Sequence, residues 1–502
     1  MAWFSSNSNQ SSQPNIIVFL VDDMGLMDTS VPFITNSAGK PSTQPLNEWY
    51  YTPNMEKLAS MGTRFSQFYA ASVCSPTRAS LMTGQNSARH QTTTWIHPTK
   101  NNAGEYAPKN WNWAGIRKND DTLPQVLKAN GYKTIHVGKG HFGPIGYDGA
   151  EPSNIGFDVN IAGSAWGRPK SYYGQNNYGN HKKYLRKDGS LTHNISHLSA
   201  YHGQDVFLTE ALTLEANKEI VQSVKNEQPF FLYLSHYAVH DPFESDPRFI
   251  HRYQGRGMSK RAQAYASMIE GMDKSLGDVI ATLTRLNVAE NTVIMFLGDN
   301  GSVAPLGGIN DIASSAPLKG KKGTSWEGGM RTPLIVSWAE LNHQNTLQQR
   351  FPILNGQINN QIASVLDIYP TVLKLADVEP ATNDIDGFTL TRQLTGDYDK
   401  QRENSFLMHF PHPHNHSYFT SYRLNQWKLI YSYNPQTNNR SPQYQLFNLL
   451  TDPSESKNLA QSQPKKLANM MQAMNKELDS YNAQYPLSAS GKLLKPQLPN
   501  SD

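Results

Sequence analysis

The chain has 502 residues and carries 45 Lys and Arg against 41 Asp and Glu, a formal net charge of +4. No Lys/Arg block resembles a nucleic-acid patch and no apolar stretch is long enough to span a membrane, so the composition predicts no nucleic-acid partner and no membrane span. The length exceeds one ordinary core and predicts two domains, while the slight basic excess weakly favours anionic substrates.

The first 14 residues are polar and lack the apolar core of a signal peptide, so we interpret 1–14 as a flexible leader. Beyond them, short apolar runs rich in β-branched residues alternate with longer amphipathic runs. This alternation predicts an α/β fold with a large, mostly parallel sheet sandwiched by helices. In chain order, the predicted strands are 15–21, 133–137, 229–236, 292–297 and 334–338, and the predicted helices are 123–130, 206–224, 260–286 and 361–377.

The sequence pattern changes after about residue 386. Aromatic and polar residues alternate over 417–433 and predict a β-hairpin, 444–449 predicts another strand, and 464–481 predicts a helix. We therefore assign 15–399 to a large N-terminal domain. The remainder, 400–502, is predicted to be a smaller α+β domain with an antiparallel sheet.

Reactive side chains follow four of the predicted strands. In folds of this kind the carboxyl ends of parallel strands meet at one edge of the sheet, where ligands bind. We therefore expect these side chains to converge on one site. They are Asp22 and Asp23 after the first strand, Lys139 and His141 after the second, His240 after the third, and Asp299 and Asn300 after the fourth.

Four of these strand-end residues, Asp22, Asp23, Asp299 and Asn300, form an all-oxygen set that suits a hard divalent cation. Each pair alone is weak evidence, because an Asp after a strand is usually a helix cap or a turn residue. Neither pair by itself therefore establishes a metal site.

The only cysteine of the chain, Cys74, stands in a C-x-P-x-R pattern with Pro76 and Arg78. A single cysteine forms no internal disulfide, so it serves packing, metal binding or chemistry, and a lone cysteine is most often a small buried hydrophobe. Here Pro76 fixes the backbone next to the thiol, and Arg78 can direct a permanent cation towards it. The run 74–84 resembles the signature of the type I, formylglycine-dependent sulfatases.

This resemblance implies an alkaline-phosphatase-like fold and a modified nucleophile. A formylglycine-generating or anaerobic sulfatase-maturing enzyme would oxidise Cys74 to formylglycine, whose hydrated aldehyde attacks the sulfate. The resemblance also implies that Asp22, Asp23, Asp299 and Asn300, together with position 74, bind Ca²⁺, with Mg²⁺ left open because the ligand types suit both ions.

The resemblance assigns roles to five further residues. Arg78 would fix and ionise the diol at position 74, and Lys139 would bind a sulfate oxygen. His141 would hydrogen-bond the diol and later remove its proton so that sulfate is expelled. His240 would be the general acid for the leaving alkoxide. Lys322 matches the family's lysine in the stretch 318–331, with Lys319 and Lys321 close enough to compete, and Gly140 replaces a bulky aromatic, which predicts a more open pocket floor.

Aromatic and histidine residues in the loops between strands are candidate sugar contacts. Indole rings stack on sugars, but ordinary packing explains such residues equally well. A second cluster of histidines at 409–416 predicts either another metal site or a loop at the pocket rim or on the surface, and the loop is favoured. The candidates for substrate contacts are His90, Trp95, His97, Trp111, Trp113 and Trp166, and the second cluster is His409, His412, His414 and His416.

Together these features predict a sulfatase that hydrolyses a sulfated carbohydrate or polysaccharide with S–O cleavage. We expect a periplasmic or secreted bacterial protein whose signal peptide has been removed from this chain. One alternative is a phosphodiester or phosphonate monoester hydrolase, since relatives share the nucleophile and the metal site. Another is a catalytically silent glycan-binding protein in which Cys74 stays a thiol.

Overall fold

The structure is a computed structural model that describes residues 13–187, 192–435 and 441–498. Within these residues the main feature is a mixed sheet of eight strands in the order β5-β4-β6-β1-β7-β8-β2-β9. All neighbouring pairs are parallel except those that β8 makes with β7 and β2. The strands of this sheet are β1 Asn15–Val21, β2 Thr63–Phe65, β4 Lys133–Gly138, β5 Val159–Ile161, β6 Phe230–Ser235, β7 Thr292–Gly298, β8 Leu334–Trp338 and β9 Gln357–Asn359.

Helices cover both faces of this sheet. The side chains of β1 show why: Ile17, Phe19 and Val21 join one apolar core, and the alternate residues join the other. Helices α6 and α7 bury their apolar faces in the first core, and α3, α5 and α10 bury theirs in the second. The α-helices are α1 Pro45–Trp49, α2 Pro53–Met61, α3 Cys74–Thr83, α4 Ser87–His90, α5 Leu123–Ala129, α6 Leu208–Lys225, α7 Lys260–Arg285, α8 Glu327–Met330, α9 Thr346–Arg350, α10 Ile368–Ala376, α11 Thr391–Leu394 and α12 Pro464–Ser480.

The C-terminal part contains an antiparallel sheet in the order β11-β12-β13-β14. One face of this sheet shares a core with α12, whose Met470, Met471 and Met474 are buried there, and the other face contributes to a separate apolar core. The predicted fold class is therefore confirmed, whereas the boundary at 399 and 400 stays a prediction. The strands are β11 Ser405–Phe410, β12 Phe419–Leu424, β13 Trp427–Ser432 and β14 Tyr444–Asn448, and a two-stranded sheet elsewhere pairs β3 Phe68–Tyr69 with β10 Ala363–Ser364.

The predicted helix at 361–377 is wrong in its first part. The chain forms the short strand Ala363–Ser364 there, and the backbone N–H of Ser364 donates to the Asp367 carboxylate at 2.7 Å, so α10 begins only at Ile368. The short strands β2, β5 and β9 were not predicted, because three residues show no readable period.

Of the predicted leader, 1–12 lies outside the described residues. No helix in the described part of the chain is long and apolar enough to cross a membrane.

Candidate active site

The register of the central strands brings two acidic strand ends together. Because β1 and β7 are parallel with Val21 opposite Gly298, the residues that follow them lie side by side. Carboxylate oxygens of Asp22, Asp23 and Asp299 lie within 4.8 Å of one another, and all three side chains are buried. Three carboxylates this close repel one another unless positive charges lie beside them.

Three buried or nearly buried cations pair with these carboxylates, and Arg78 Nη2 contacts both Asp299 and, at 3.6 Å, Asp22 Oδ1. Lys139 Nζ lies 2.7 Å from Asp22 Oδ2, Lys322 Nζ lies 2.5 Å from Asp23 Oδ1, and Arg78 Nη2 lies 2.8 Å from Asp299 Oδ2. Burial opposes the charge of Asp23, but Lys322 lowers the pKa of that carboxyl to about 2. Burial raises the pKa of Asp22 despite the neighbouring Lys139 ammonium.

The residues at this edge fit a divalent cation. Asp22 Oδ1 and Asn300 Oδ1 are buried acceptors that receive no hydrogen bond from any described residue, which is costly unless a ligand satisfies them. Asp299 Oδ1 accepts from the backbone N–H of Asp23 at 3.0 Å, which holds the two strand ends together. The available donors are all oxygens, the set that Ca²⁺ and Mg²⁺ prefer.

Cys74 begins α3 and points at a histidine from the β4 strand end. Its Sγ lies 3.4 Å from His141 Nδ1, and His141 Nε2 lies 2.6 Å from the carbonyl oxygen of Ile96. A carbonyl only accepts, so Nε2 carries the proton and the lone pair of Nδ1 faces Cys74. Burial and the Lys139 charge hold the pKa of His141 well below its usual range, which keeps this ring a neutral acceptor.

The positive charges around Cys74 favour an anion at this position. Burial opposes ionisation of the thiol, but the charges of Lys139 and Lys322 hold the pKa of Cys74 below its ordinary value. A deprotonated oxygen attached at position 74 would experience the same field.

Arg78, from the second turn of the same helix, is fully buried and directs its nitrogens at the strand ends. Nη1 donates to the carbonyl of Lys139 at 3.0 Å and to Ser235 Oγ at 2.6 Å, and Nε and Nη2 donate to Asp299. Its hydrogen bonds therefore hold the carboxylate and the β4 and β6 ends. Its charge reaches Cys74 only through space.

The structure separates the three candidate lysines. Lys319 Nζ lies 3.7 Å from the ring centroid of Trp326, and Lys321 Nζ donates to the carbonyl of Ala304 at 2.8 Å. Only Lys322 of the three pairs with Asp23 and lines the cavity above Cys74.

His240 follows β6 and faces the same cavity. Its Nδ1 lies 3.0 Å from Asp241 Oδ1 and 3.1 Å from the carbonyl oxygen of Asp241. Its Nε2 lies 3.6 Å from Asp23 Oδ2. With Nδ1 engaged by its neighbour, Nε2 is the nitrogen available to a substrate.

Four of the groups described above, Cys74, His141, His240 and Lys322, line a cavity of about 410 Å³. Its wall includes three of the predicted sugar contacts, and also charged and imidazole groups that sequence reasoning missed, because nothing in their local sequence marks a binding residue. The predicted members are Trp95, His97 and Trp166, the missed ones are Arg168, Arg186 and His193, and His414 comes from the predicted histidine cluster.

His90, Trp111 and Trp113 do not line this cavity. They border a separate groove of about 620 Å³, where His90 Nε2 lies 3.0 Å from Ser80 Oγ. Gly140 is also absent from the cavity wall: a β-carbon there would lie 3.1 Å from the carbonyl oxygen of Ser164. The glycine therefore permits close backbone packing and does not open the pocket floor.

The histidines at 409–416 form hydrogen bonds to different parts of the protein. His409 bonds to Thr420 and the carbonyl of Gln484, His412 to Thr93, and His416 to Ser325. With three of the four rings committed to different protein groups, the second metal site is not formed. His414 is the member that reaches the cavity, as the rim interpretation predicted.

Comparison with known proteins agrees with this geometry. The family model "Sulfatase" matches residues 14–378, and the model "N-sulphoglucosamine sulphohydrolase, C-terminal" matches 321–484. N-acetylgalactosamine-6-sulfatase of Mus musculus is 31% identical over 384 residues, which are 75% of this chain and 65% of that protein, so the match spans less than two thirds of the relative. A "Sulfatase" of Formosa agariphila is 26% identical over 92% of this chain and 87% of that protein.

A solved structure with the same fold is that of Ps i-CgsB. It is 26% identical, covers 93% of both chains and superimposes with a TM-score of 0.71. The same protein in complex with k-i-k-neocarrahexaose gives a TM-score of 0.69.

Proposed function

The chain belongs to the sulfatase family, and we propose that it hydrolyses a sulfate monoester of a carbohydrate by breaking the S–O bond. The names and titles of its relatives support the carbohydrate: one acts on an N-acetylgalactosamine sulfate by name, and another is solved with a neocarrahexaose. The observation that carries the proposal is the contact of Cys74 with His141 Nδ1, at the buried end of a cavity beside a carboxylate cluster.

Two groups would complete the site. Oxidation of Cys74 to formylglycine would supply a hydrated aldehyde as nucleophile, and a Ca²⁺ or Mg²⁺ held by Asp22, Asp23, Asp299 and Asn300 would polarise a sulfate oxygen. Sγ of Cys74 stands where the attacking oxygen would be. The two unsatisfied acceptors at Asp22 and Asn300 support the cation.

Two lysines of the chain would stabilise the negative charge of the sulfate, and two histidines would transfer the protons. Lys322 lines the cavity and can bind a sulfate oxygen, while Lys139 lies behind it on Asp22 and contributes its field. His141 Nδ1 can accept a proton at position 74, since its Nε2 is committed to the carbonyl of Ile96. His240 Nε2 can protonate the departing sugar oxygen, so that the alcohol leaves neutral.

Mass spectrometry and paired rate measurements test this proposal. Co-expression with a formylglycine-generating enzyme should convert the side-chain thiol of Cys74 to an aldehyde and raise the rate on nitrophenyl sulfate. The Cys74→Ala variant should be inactive. A higher kcat/KM on the matching phosphate monoester, phosphodiester or phosphonate would favour the hydrolase alternative, and a mature aldehyde without activity on any ester would favour a silent glycan binder.

The maturation partner and a periplasmic or secreted location are part of the same proposal. Both follow from the signature at Cys74 and from the similarity to a bacterial sulfatase. Fractionation of the native host, with the Cys74 peptide analysed in each fraction, would test them together.

A further inference from the structure

The cavity wall carries two arginines that the proposed reaction does not use, Arg168 and Arg186. We propose that Arg186 binds a second anionic group of the substrate, carried by the sugar next to the one that loses its sulfate. The second group would be a sulfate ester or a uronate carboxylate. This inference rests on the proposed function and adds that the preferred substrate is polyanionic.

The first argument is the unequal pairing of the cations in the cavity. Lys322 pairs with Asp23, and Arg168 pairs with Asp241. Arg186, in contrast, forms no ion pair and no hydrogen bond with any residue that the structure describes, and no Asp or Glu stands among the cavity-lining residues described. An arginine at a binding cavity that has no counter-ion among the described residues is suited to bind an anionic ligand.

The second argument is the set of rings around this guanidinium. Arg186 lines the cavity together with His97 and His193, and burial followed by several nearby cations, Arg186 among them, lowers the pKa of both rings. Each imidazole contacts an indole: the ring centroids of His193 and Trp166 are 4.7 Å apart, and those of His97 and Trp95 are 5.8 Å apart. Indole faces suit sugar rings and neutral imidazoles suit hydroxyls, so the cation stands within a surface suited to a glycan.

The third argument concerns depth. Cys74 is buried, with 3% of its surface exposed, whereas Arg186 is exposed. The cavity therefore runs from a closed end that receives the reacting sulfate to a mouth where Arg186 stands. Its volume of about 410 Å³ falls in the range of roughly 300–1,000 Å³ typical of organic ligand sites, so it has room for sugar as well as sulfate.

The test uses the full-length, matured enzyme and oligosaccharides that differ in one anionic group. The first carries only the sulfate to be removed, the second adds a sulfate on the neighbouring sugar, and the third has a uronate there. Arg186→Ala should lower kcat/KM on one or both two-anion substrates by about 10- to 100-fold, the usual value of a charged hydrogen-bonded contact, mainly through KM. On the single-anion substrate the change should stay within about threefold.

Two further variants separate local binding from general charge. Arg186→Lys keeps the charge but not the two-pronged donor geometry, so its loss should be intermediate. Lys187→Ala removes a neighbouring exposed cation that does not line the cavity, so the ratio between the substrates should stay unchanged. The substrate that loses most on Arg186→Ala identifies sulfate or carboxylate as the second group.

Equal losses on all three substrates, or the same change in ratio for Lys187→Ala, would overturn the inference. Failure of the proposed function has a different signature, because the parent enzyme would then hydrolyse none of the sulfate esters. In that case calorimetric binding of the same oligosaccharides to the parent and to Arg186→Ala still decides the inference. Equal affinity of the parent for one-anion and two-anion ligands would refute it.

Discussion

Arg78 holds one oxygen of Asp299 with two nitrogens, Nε at 3.0 Å and Nη2 at 2.8 Å from Oδ2. Both side chains are fully buried. The other oxygen, Oδ1, accepts the backbone N–H of Asp23, so every hydrogen bond to this carboxylate comes from a neighbouring strand end or helix. The arginine of the cysteine signature thus orients a proposed metal ligand, in addition to acting on the cysteine through its charge.

Replacing this arginine should therefore weaken metal binding. A lysine ammonium cannot donate the paired hydrogen bonds, so Arg78→Lys should lower the affinity for Ca²⁺ by about 10- to 100-fold, as loss of a residue that orients a metal ligand typically does. Calorimetric titration of the metal-free protein measures this affinity. The matched control is Arg89→Lys, which breaks a similar multidentate contact with Asp386 but should leave Ca²⁺ affinity unchanged. A similar loss in both variants would mean that general destabilisation is responsible.

Metal removal should abolish activity and lower stability. Dialysis against a chelator leaves Asp22, Asp23 and Asp299 without their proposed ion, and added Ca²⁺ at 100 times its Kd should restore about 2.7 kcal/mol of unfolding free energy. The Asp299→Asn protein should contain no bound metal after purification, as measured by elemental analysis. Asp28→Asn is the control, because Asp28 is also buried but its carboxylate is satisfied by Gly25 N–H and tyrosine hydroxyls. Retained metal in Asp299→Asn would disprove the assignment.

The leaving group should decide how much His240 matters. His240→Ala should slow hydrolysis of a sugar sulfate by about 10²–10⁴-fold, since the alkoxide is a poor leaving group that needs a proton. Nitrophenyl sulfate, whose leaving group is stable as an anion, should lose much less. Steady-state kinetics on both substrates measure the difference. His414→Ala, from the same cavity wall, should affect the two substrates alike. Equal losses for His240→Ala would leave it a sulfate-binding residue and not an acid.

A buried ionic cluster should contribute strongly to stability. Lys428, from the C-terminal sheet, lies 3.1 Å from Glu327 and 2.6 Å from Glu455, and none of these side chains is exposed. Lys428→Met would leave Glu455 without an ion pair to any described residue and Glu327 with only Arg331, 3.5 Å away, which should cost about 3–5 kcal/mol of unfolding free energy. Urea denaturation measures this cost. Lys465→Met, on an exposed lysine of α12, should change stability by less than about 0.5 kcal/mol. A similarly small effect of Lys428→Met would mean that the cluster is not strongly stabilising.

Much of the site could be read from the sequence because its residues stand at the ends of recognisable strands. The apolar runs that became β1, β4, β6 and β7 are long enough to show their period. Parallel pairing then aligns their carboxyl ends at one edge of the sheet, and the direct pairing of β1 with β7 makes Asp22 and Asp299 neighbours. The signature at Cys74 could also be recognised from the sequence, because its residues are contiguous and their pattern needs no tertiary information.

The sequence by itself therefore determined the strand-end residues, the family and the α/β class. Only the tertiary structure decided that Arg78 holds Asp299, that Lys322 and neither neighbouring lysine meets Asp23, and that Arg186 stands at the cavity mouth without an ion pair to any described residue. Each of these depends on side-chain direction and on loops that approach from distant parts of the chain. Local periodicity carries no information about such contacts, because the partners are chosen by packing and charge in three dimensions and not by spacing along the chain.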